Sequence, residues 1–195
     1  MMKKMYYGED VWGGKYKDVC VSLYNIVKEF RPTNIVELGI GTGGCATHIC
    51  HALQDENING KLMGFDLFNE FKSKPKEAIL TQMKEGKLES FIELYEGDVY
   101  DTWLKTPTTF DMIYIDLNNT WESLYKLVTY NEFIISQLKN CNHIYIEGGN
   151  PGHPRMNHQN LEKFHNNLGK KLFDISFITA TYNTGPGLSK LKILY

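Results

Sequence analysis

The order of apolar runs constrains this chain more tightly than any single motif. Five short apolar runs, "NIVEL" (34–38), "KLMGFD" (61–66), "FIELYEGD" (91–98), "FDMIYID" (110–116) and "NHIYIEGG" (142–149), alternate with segments of helical character. A helix precedes them: Val19, Cys20, Leu23, Ile26, Val27 and Phe30 recur at helical spacing until Arg31-Pro32 stops the pattern. Residues 43–54 and 75–86 read as helices, a short one follows Asp98, and another spans roughly 158–169. Trp121, Leu124, Leu127, Val128, Ile134, Ile135 and Leu138 keep one face apolar through a single long amphipathic segment. "KLFDISFITAT" and "GLSKLKILY" then follow each other with only "YNTGPG" between them, which suits a hairpin reversal and not a crossover. Repeated strand–helix alternation implies an α/β fold with a parallel sheet covered on both faces. The hairpin makes seven strands, with an antiparallel one at the end. No repeat, linker or low-complexity tract divides the 195 residues, so one domain over 1–195 is expected.

In such a sheet, ligands settle beyond the carboxyl ends of the strands. The loop leaving the first strand, "GIGTGG", is bare enough to approach a ligand closely, and the helix after it offers unpaired N–H groups. Gly39, Gly41 and Gly44 match a dinucleotide-type G-x-G-x-x-G spacing, although glycine-rich turns also serve merely to close a tight connection. No Gly-Lys-Ser or Gly-Lys-Thr follows, which argues against nucleotide triphosphate hydrolysis. Asp66 and Asp98 close the second and third strand runs at the same edge. A carboxylate there can take two hydrogen bonds from a ribose diol, or one from an exocyclic amine; the plainer alternative for each is a helix N-cap.

Glu37-Leu38-Gly39-x-Gly41-x-Gly43, then Asp66, then Gly97-Asp98-Val99, resembles the class I methyltransferases that use S-adenosylmethionine. The resemblance runs from about Tyr16 to Tyr195. It implies a Rossmann-like seven-stranded sheet, mostly parallel with an antiparallel last strand, and helices on both faces. It further implies that Gly39, Gly41 and Gly43 pass under the methionine part of the cofactor, with Glu37 orienting the loop. Asp66 would hold the ribose, Leu67 and Phe68 would flank the adenine, Asp98 would meet its amine and the Val99 amide a ring nitrogen.

The acceptor chemistry is sought at the ends of the fourth and fifth strands. An activated methyl requires alignment and removal of a proton from the acceptor. Asp116 ends "IYID", and the Asn/Asp-Pro-Pro-aromatic motif of base-modifying methyltransferases is absent there. Glu147 ends "IYIE", so Asp116 and Glu147 could share Mg²⁺. This looks like the metal-assisted O-methyltransferases related to cephalosporin hydroxylase and rhamnosyl O-methyltransferases. The second acid of their strand-five pair is Gly148 here, with Asn150 as a neutral ligand in reserve; in the alternative, no metal is used and Asp116 touches the methionine amine. His153 is a candidate general base, His158 a weaker one, and Arg155 a candidate anion contact, each against a plain surface role. Cys45, His48, Cys50 and His51 share one helix but lack the partners of a closed zinc site. Tyr6, Tyr7 and Trp12, within residues 1–15, are read as an arm or lid.

A net charge of −2 gives no basic surplus for nucleic acid. The four cysteines lack CxxC spacing, no apolar run nears the ~20 residues of a membrane span, and "MMKKMYYGED" is no signal peptide, so a cytoplasmic location is expected. The expected activity is S-adenosylmethionine-dependent methylation of a small molecule, on oxygen of a sugar or other hydroxylated metabolite, by a monomer or homo-oligomer. Two competing readings stand beside it. One is an NAD(P)-dependent oxidoreductase, short of a second domain and of a Tyr-x-x-x-Lys; the other is a non-catalytic nucleoside-binding protein of the same fold.

Overall fold

A computed structural model describes residues 17–68, 70, 73–106, 109–118, 120–180 and 187–194. The arm or lid assigned to residues 1–15 lies outside the described residues. All described strands join one sheet in the order β3-β2-β1-β4-β5-β7-β6. These are β1 (Asn34–Leu38), β2 (Lys61–Asp66), β3 (Ile92–Glu96), β4 (Met112–Ile115), β5 (His143–Glu147), β6 (Phe173–Thr179) and β7 (Leu188–Ile193). The first five run parallel, and β7 is antiparallel to both β5 and β6. The order turns back between β1 and β4, which is where a ligand crevice forms in a doubly wound sheet.

Alternation along each strand sorts the side chains into two cores. Ile35, Leu62, Met112 and Tyr114 face α1 (Lys17–Phe30), α2 (Gly44–Asp55) and α3 (Lys76–Glu85), with Leu23, Ile49, Leu53 and Ile79 filling that layer. Val36, Phe65, Ile113 and Ile146 face the other side, where α4 (Val99–Thr102), α5 (Trp121–Thr129), α6 (Glu132–Asn140) and α7 (His158–Leu168) contribute Val99, Leu124, Ile134 and Leu161. Glu37 shares the parity of Ile35, and Asp116 and Glu147 that of Tyr114 and Tyr145. The three acids therefore come from ends of neighbouring strands on the α1/α2 side.

Two expected elements differ in extent. The amphipathic segment after Trp121 is two helices, because Asn131 adopts an extended backbone and its Oδ1 caps α6 by accepting from Ile134 N at 2.9 Å. The third strand stops at Glu96. Gly97 turns out at φ +132°, and Asp98 lies beyond the strand as the N-cap of α4.

The opposite rim of the sheet is tied by Asp111. Its Oδ2 accepts from Thr33 N (2.8 Å), Thr33 Oγ1 (2.8 Å) and Asn34 N (3.0 Å), joining the starts of β4 and β1. Partial burial raises the Asp111 pKa, but the three donors outweigh it and hold the carboxyl below its ordinary value. A depressed carboxyl stabilises the fold above the unfolded-state pKa, and that stability is lost as pH falls through the folded-state value. Asp111→Ala is expected to cost about 1–2 kcal/mol at neutral pH, the value for bonds to a solvent-exposed charge. Urea melts should show the gap between wild type and variant closing below about pH 4.

Candidate functional site

The glycine loop is held by one carboxylate. Asp66, the last residue of β2, accepts from Ile40 N (2.7 Å) and Gly41 N (3.0 Å) with Oδ2, which also takes Ser73 Oγ at 3.2 Å. Its Oδ1 accepts from Phe68 N at 2.7 Å. That bond holds Phe68 at φ +47°, a conformation that bulky residues avoid. The sequence reading gave Asp66 to a ribose. The structure shows it organising the loop, with a lone pair on Oδ1 still available to a hydroxyl. Phe68 is 1% exposed and packs into the α1/α2/α3 core, whereas its neighbour Leu67 is 40% exposed at the site edge.

The three glycines do different things. Gly39, at φ +90°, lies so close to the carbonyl oxygen of Asp116 that a Cβ would overlap it, and Asp116 N donates to Leu38 O at 2.7 Å. The turns leaving β1 and β4 are thus locked together. Gly43, at φ +81°, lies under Ile79, whose Cδ1 would be 2.9 Å from a Cβ. Gly41, at φ +55°, has nothing within 4 Å of where a Cβ would stand. It is the point at which a ligand can press against bare backbone. Among the described residues, the amides of Thr42 and Gly44 have no hydrogen-bond acceptor, whereas those of Gly39, Ile40, Gly41 and Gly43 all do.

Asp98 is exposed, and its Oδ1 accepts from Tyr100 N at 2.9 Å. The N-cap alternative thus describes what its side chain does here. Gly97 has room for little else, since a Cβ would meet Thr102 Cγ2 at 2.8 Å, and Val99 is buried in the α4/α5 core.

Beyond β4 and β5 the acids converge. The carboxyls of Asp116 and Glu147 are within hydrogen-bonding reach of each other, and Glu37 adds its charge to the field on Asp116. Burial foremost, then Glu147, pushes the Asp116 carboxyl well above the usual range. Glu37 is 1% exposed, and its Oε2 has no partner among the described residues; burial, then Cys20 and Asp66, raise its pKa as well. Among the described residues, each neighbour that chiefly perturbs these two acids raises them, and none of those neighbours is a Lys or Arg. Tyr114, deep beneath, keeps its phenol protonated for the same reasons, with burial first.

As a metal centre the set is incomplete. No three His, Cys, Asp or Glu side chains converge as a cation cage among the described residues. Gly148 stands at φ +147° with Met156 Cε 2.8 Å from where a Cβ would be, so a second acid there needs a different backbone. Asn150 is buried and bonds Gly152 N through Oδ1 at 3.1 Å. His153 is also turned inward: Nδ1 accepts from Met156 N (2.8 Å) and Arg155 N (3.2 Å), which dictates the tautomer with the proton on Nε2. Burial, then Arg155, lowers its pKa. A small recess of about 20 Å³ opens beside the pair, lined by Leu117, Asn118, Thr120, Ser123, Glu147 and Met156. It has room for about one water.

A sequence profile described as a methyltransferase domain matches residues 36–137, more than half of the chain. The chain belongs to this methyltransferase-domain family. The matched span starts in β1 and ends in α6, so it contains the glycine loop, Asp66, Asp98 and Asp116 but not Glu147. Solved methyltransferases share the fold. TomG, an O-methyltransferase from Streptomyces achromogenes involved in tomaymycin synthesis and solved with SAM, is 18% identical with a TM-score of 0.59, over 90% of this chain and 79% of that one. PaMTH1 from Podospora anserina, SAH-bound, is 17% identical with a TM-score of 0.63, over 91% and 78%. A putative O-methyltransferase from Klebsiella pneumoniae is 14% identical with a TM-score of 0.60, over 90% and 80%. No curated protein sequence matches significantly.

Sequence reading did not pick out Thr47, Ser73, Lys74 or Gln82, all of which touch the glycine loop or its supports. It also did not pair Cys20 with Cys45, whose Sγ atoms lie 3.4 Å apart beside the acids. Only Thr47 left a signal, a hydroxyl four residues after a loop glycine. The unequal glycines give a sharp contrast to measure. Gly39→Ala is expected to leave little folded protein. Gly41→Ala should fold with a loss of about 1–2 kcal/mol, the strain of a left-handed non-glycine residue. Circular dichroism melts of the two variants check this.

Proposed function

We propose that this methyltransferase-family protein transfers a methyl group from S-adenosylmethionine to a hydroxyl of a small molecule, a sugar or other hydroxylated metabolite. The observation that carries the reading is the cluster of buried Glu37 and Glu147 with half-buried Asp116 at neighbouring strand ends, with no cation, among the described residues, in the groups that perturb Glu37 and Asp116. Buried acids without a counter-charge are unfavourable. A ligand bearing a sulfonium and an ammonium supplies the missing positive charge; a dinucleotide's pyrophosphate would add to the repulsion.

The cofactor supplies a methyl group already activated by positively charged sulfur. The chain's part is to grip and align. Gly41 gives the close approach, and the amides of Thr42 and Gly44 offer donors. Asp66 fixes the loop and keeps a lone pair for a ribose hydroxyl, while Leu67 covers the adenine and Asp98 and Val99 border it. Glu37 meets the positive end of the cofactor. Asp116, beside Glu147, would take the proton from the acceptor hydroxyl as that oxygen bonds the methyl carbon and the carbon–sulfur bond breaks to leave the neutral thioether, and its raised carboxyl pKa suits that role near neutral pH. His153 clamps the loop that carries Asn150 and Met156. No step is routed through Mg²⁺, because among the described residues the acids are not joined into a cation cage. The recess beside the pair admits at most a small group, so the acceptor's bulk lies outside it. No helix among the described residues is long and apolar enough to cross a membrane. Four cysteines without a disulfide suit the cytoplasm.

Isothermal titration with S-adenosylhomocysteine tests cofactor binding, and absence of heat at millimolar ligand with folded protein overturns the reading. For the chemistry, Asp116→Asn is expected to lower kcat/KM on a hydroxylated acceptor about 10²–10⁴-fold, the usual contribution of a positioned base.

A further inference from the structure

The glycine loop is gripped from behind by a closed hydrogen-bond circuit. Lys74 N donates to Gly41 O at 2.9 Å, and Lys74 Nζ donates to Gln82 Oε1 at 3.3 Å. Gln82 Nε2 donates to Thr47 Oγ1 at 2.8 Å, and Thr47 Oγ1 donates to Gly43 O at 2.7 Å. The circuit thus begins and ends on two carbonyls of the loop, passing through the β2–α3 connection, α3 and α2. The bond directions are forced. An ammonium only donates, and the Thr47 proton is committed to a carbonyl, so the middle residue must accept at one end and donate at the other. An amide side chain does this; a carboxylate or a hydrocarbon of the same length does not.

In a trans peptide the C=O and N–H point in opposite directions, and no cis peptide is present among the described residues. Holding Gly41 O and Gly43 O on the α3 and α2 side therefore turns the N–H groups of Thr42 and Gly44 the other way. These are the two loop amides that lack an acceptor among the described residues. We infer that Gln82 is a positioning residue of the methyltransferase site: the backbone amides of Lys74 (2.9 Å) and Thr47 (3.0 Å) donate to the two loop carbonyls, and Gln82, by tying the side chains of both residues, braces that hold so that the Thr42 and Gly44 amides are presented to the cofactor. Gln82 does not touch the cofactor, and the inference rests on the cofactor reading above. Preorganised donors hold a ligand better than donors that must be ordered on binding.

The test compares Gln82→Leu, Gln82→Glu, Thr47→Val and Thr47→Ser with wild type. Gln82→Leu and Thr47→Val are expected to weaken S-adenosylhomocysteine binding about tenfold, the effect of losing one or two hydrogen bonds. Gln82→Glu keeps the Lys74 bond and loses the other, so it should fall in between. Thr47→Ser restores the hydroxyl and should restore binding, which a packing role for the Thr47 methyl would not allow. In turnover the loss should appear in KM for the cofactor and not in kcat. Binding by Gln82→Leu within twofold of wild type overturns the inference. If wild type itself fails to bind, the cofactor reading fails. The circuit is then judged in the ligand-free protein: the ¹⁵N amide resonances of Thr42 and Gly44 move in Gln82→Leu if it holds, and stay put if it does not.

Discussion

Two bonds from the Asp66 carboxylate to the amides of Ile40 and Gly41 organise the site. They tie the end of one strand to the loop leaving its neighbour, at the switch in strand order. A charge-assisted pair of this kind is shorter and stronger than neutral backbone bonding. It lets the loop take three left-handed glycines in five residues and still be a single structure. With the front of the loop tied by Asp66 and the back by Lys74 and Thr47, little of its backbone remains to be ordered when a ligand arrives.

The electrostatics follow from the same frame. Glu37 near the end of β1, Asp116 just past β4 and Glu147 at the end of β5 share one parity, so the sheet delivers three carboxyls to one side of its edge. Nothing in the fold itself gains from that arrangement, since buried carboxyls of like charge oppose one another. Function is the natural place to look for the compensation. The polar layer beneath, with Tyr114 and the Cys20–Cys45 contact, extends the same seam of groups into the α1/α2 core.

Most of the fold was legible because strand parity and helical periodicity act over many residues at once. All seven strands and the reversed β7 follow from that pattern. What escaped was local and depended on one side chain. Asn131 splits a continuous apolar face by capping α6, which periodicity cannot register. Gly97 ends β3 before Asp98, moving that acid from strand end to helix cap. In the site, Asp116 and Glu147 were readable as acids at strand ends and the structure brings them together; Glu37, expected to orient the glycine loop, adds its field to theirs. The inward turn of His153 was not, because it depends on two backbone amides of its own loop. Gln82 lies forty residues from the loop it supports, on a helix whose exposed pattern marks nothing unusual about it.

The interlock between Gly39 and the Asp116 carbonyl has an implication for how this architecture can diversify. The glycine loop and the turn leaving β4 are rigidly coupled through a contact with no space for even one extra carbon. Variation that shifted the end of β4 would displace the loop with it, so the two move through sequence space as one unit. Among the described residues, the β5 side has no such lock to the glycine loop. Sequence change is therefore most accessible there, in the segment from Gly148 to Asn157, where shape can drift while the glycine loop and the end of β4 keep their alignment.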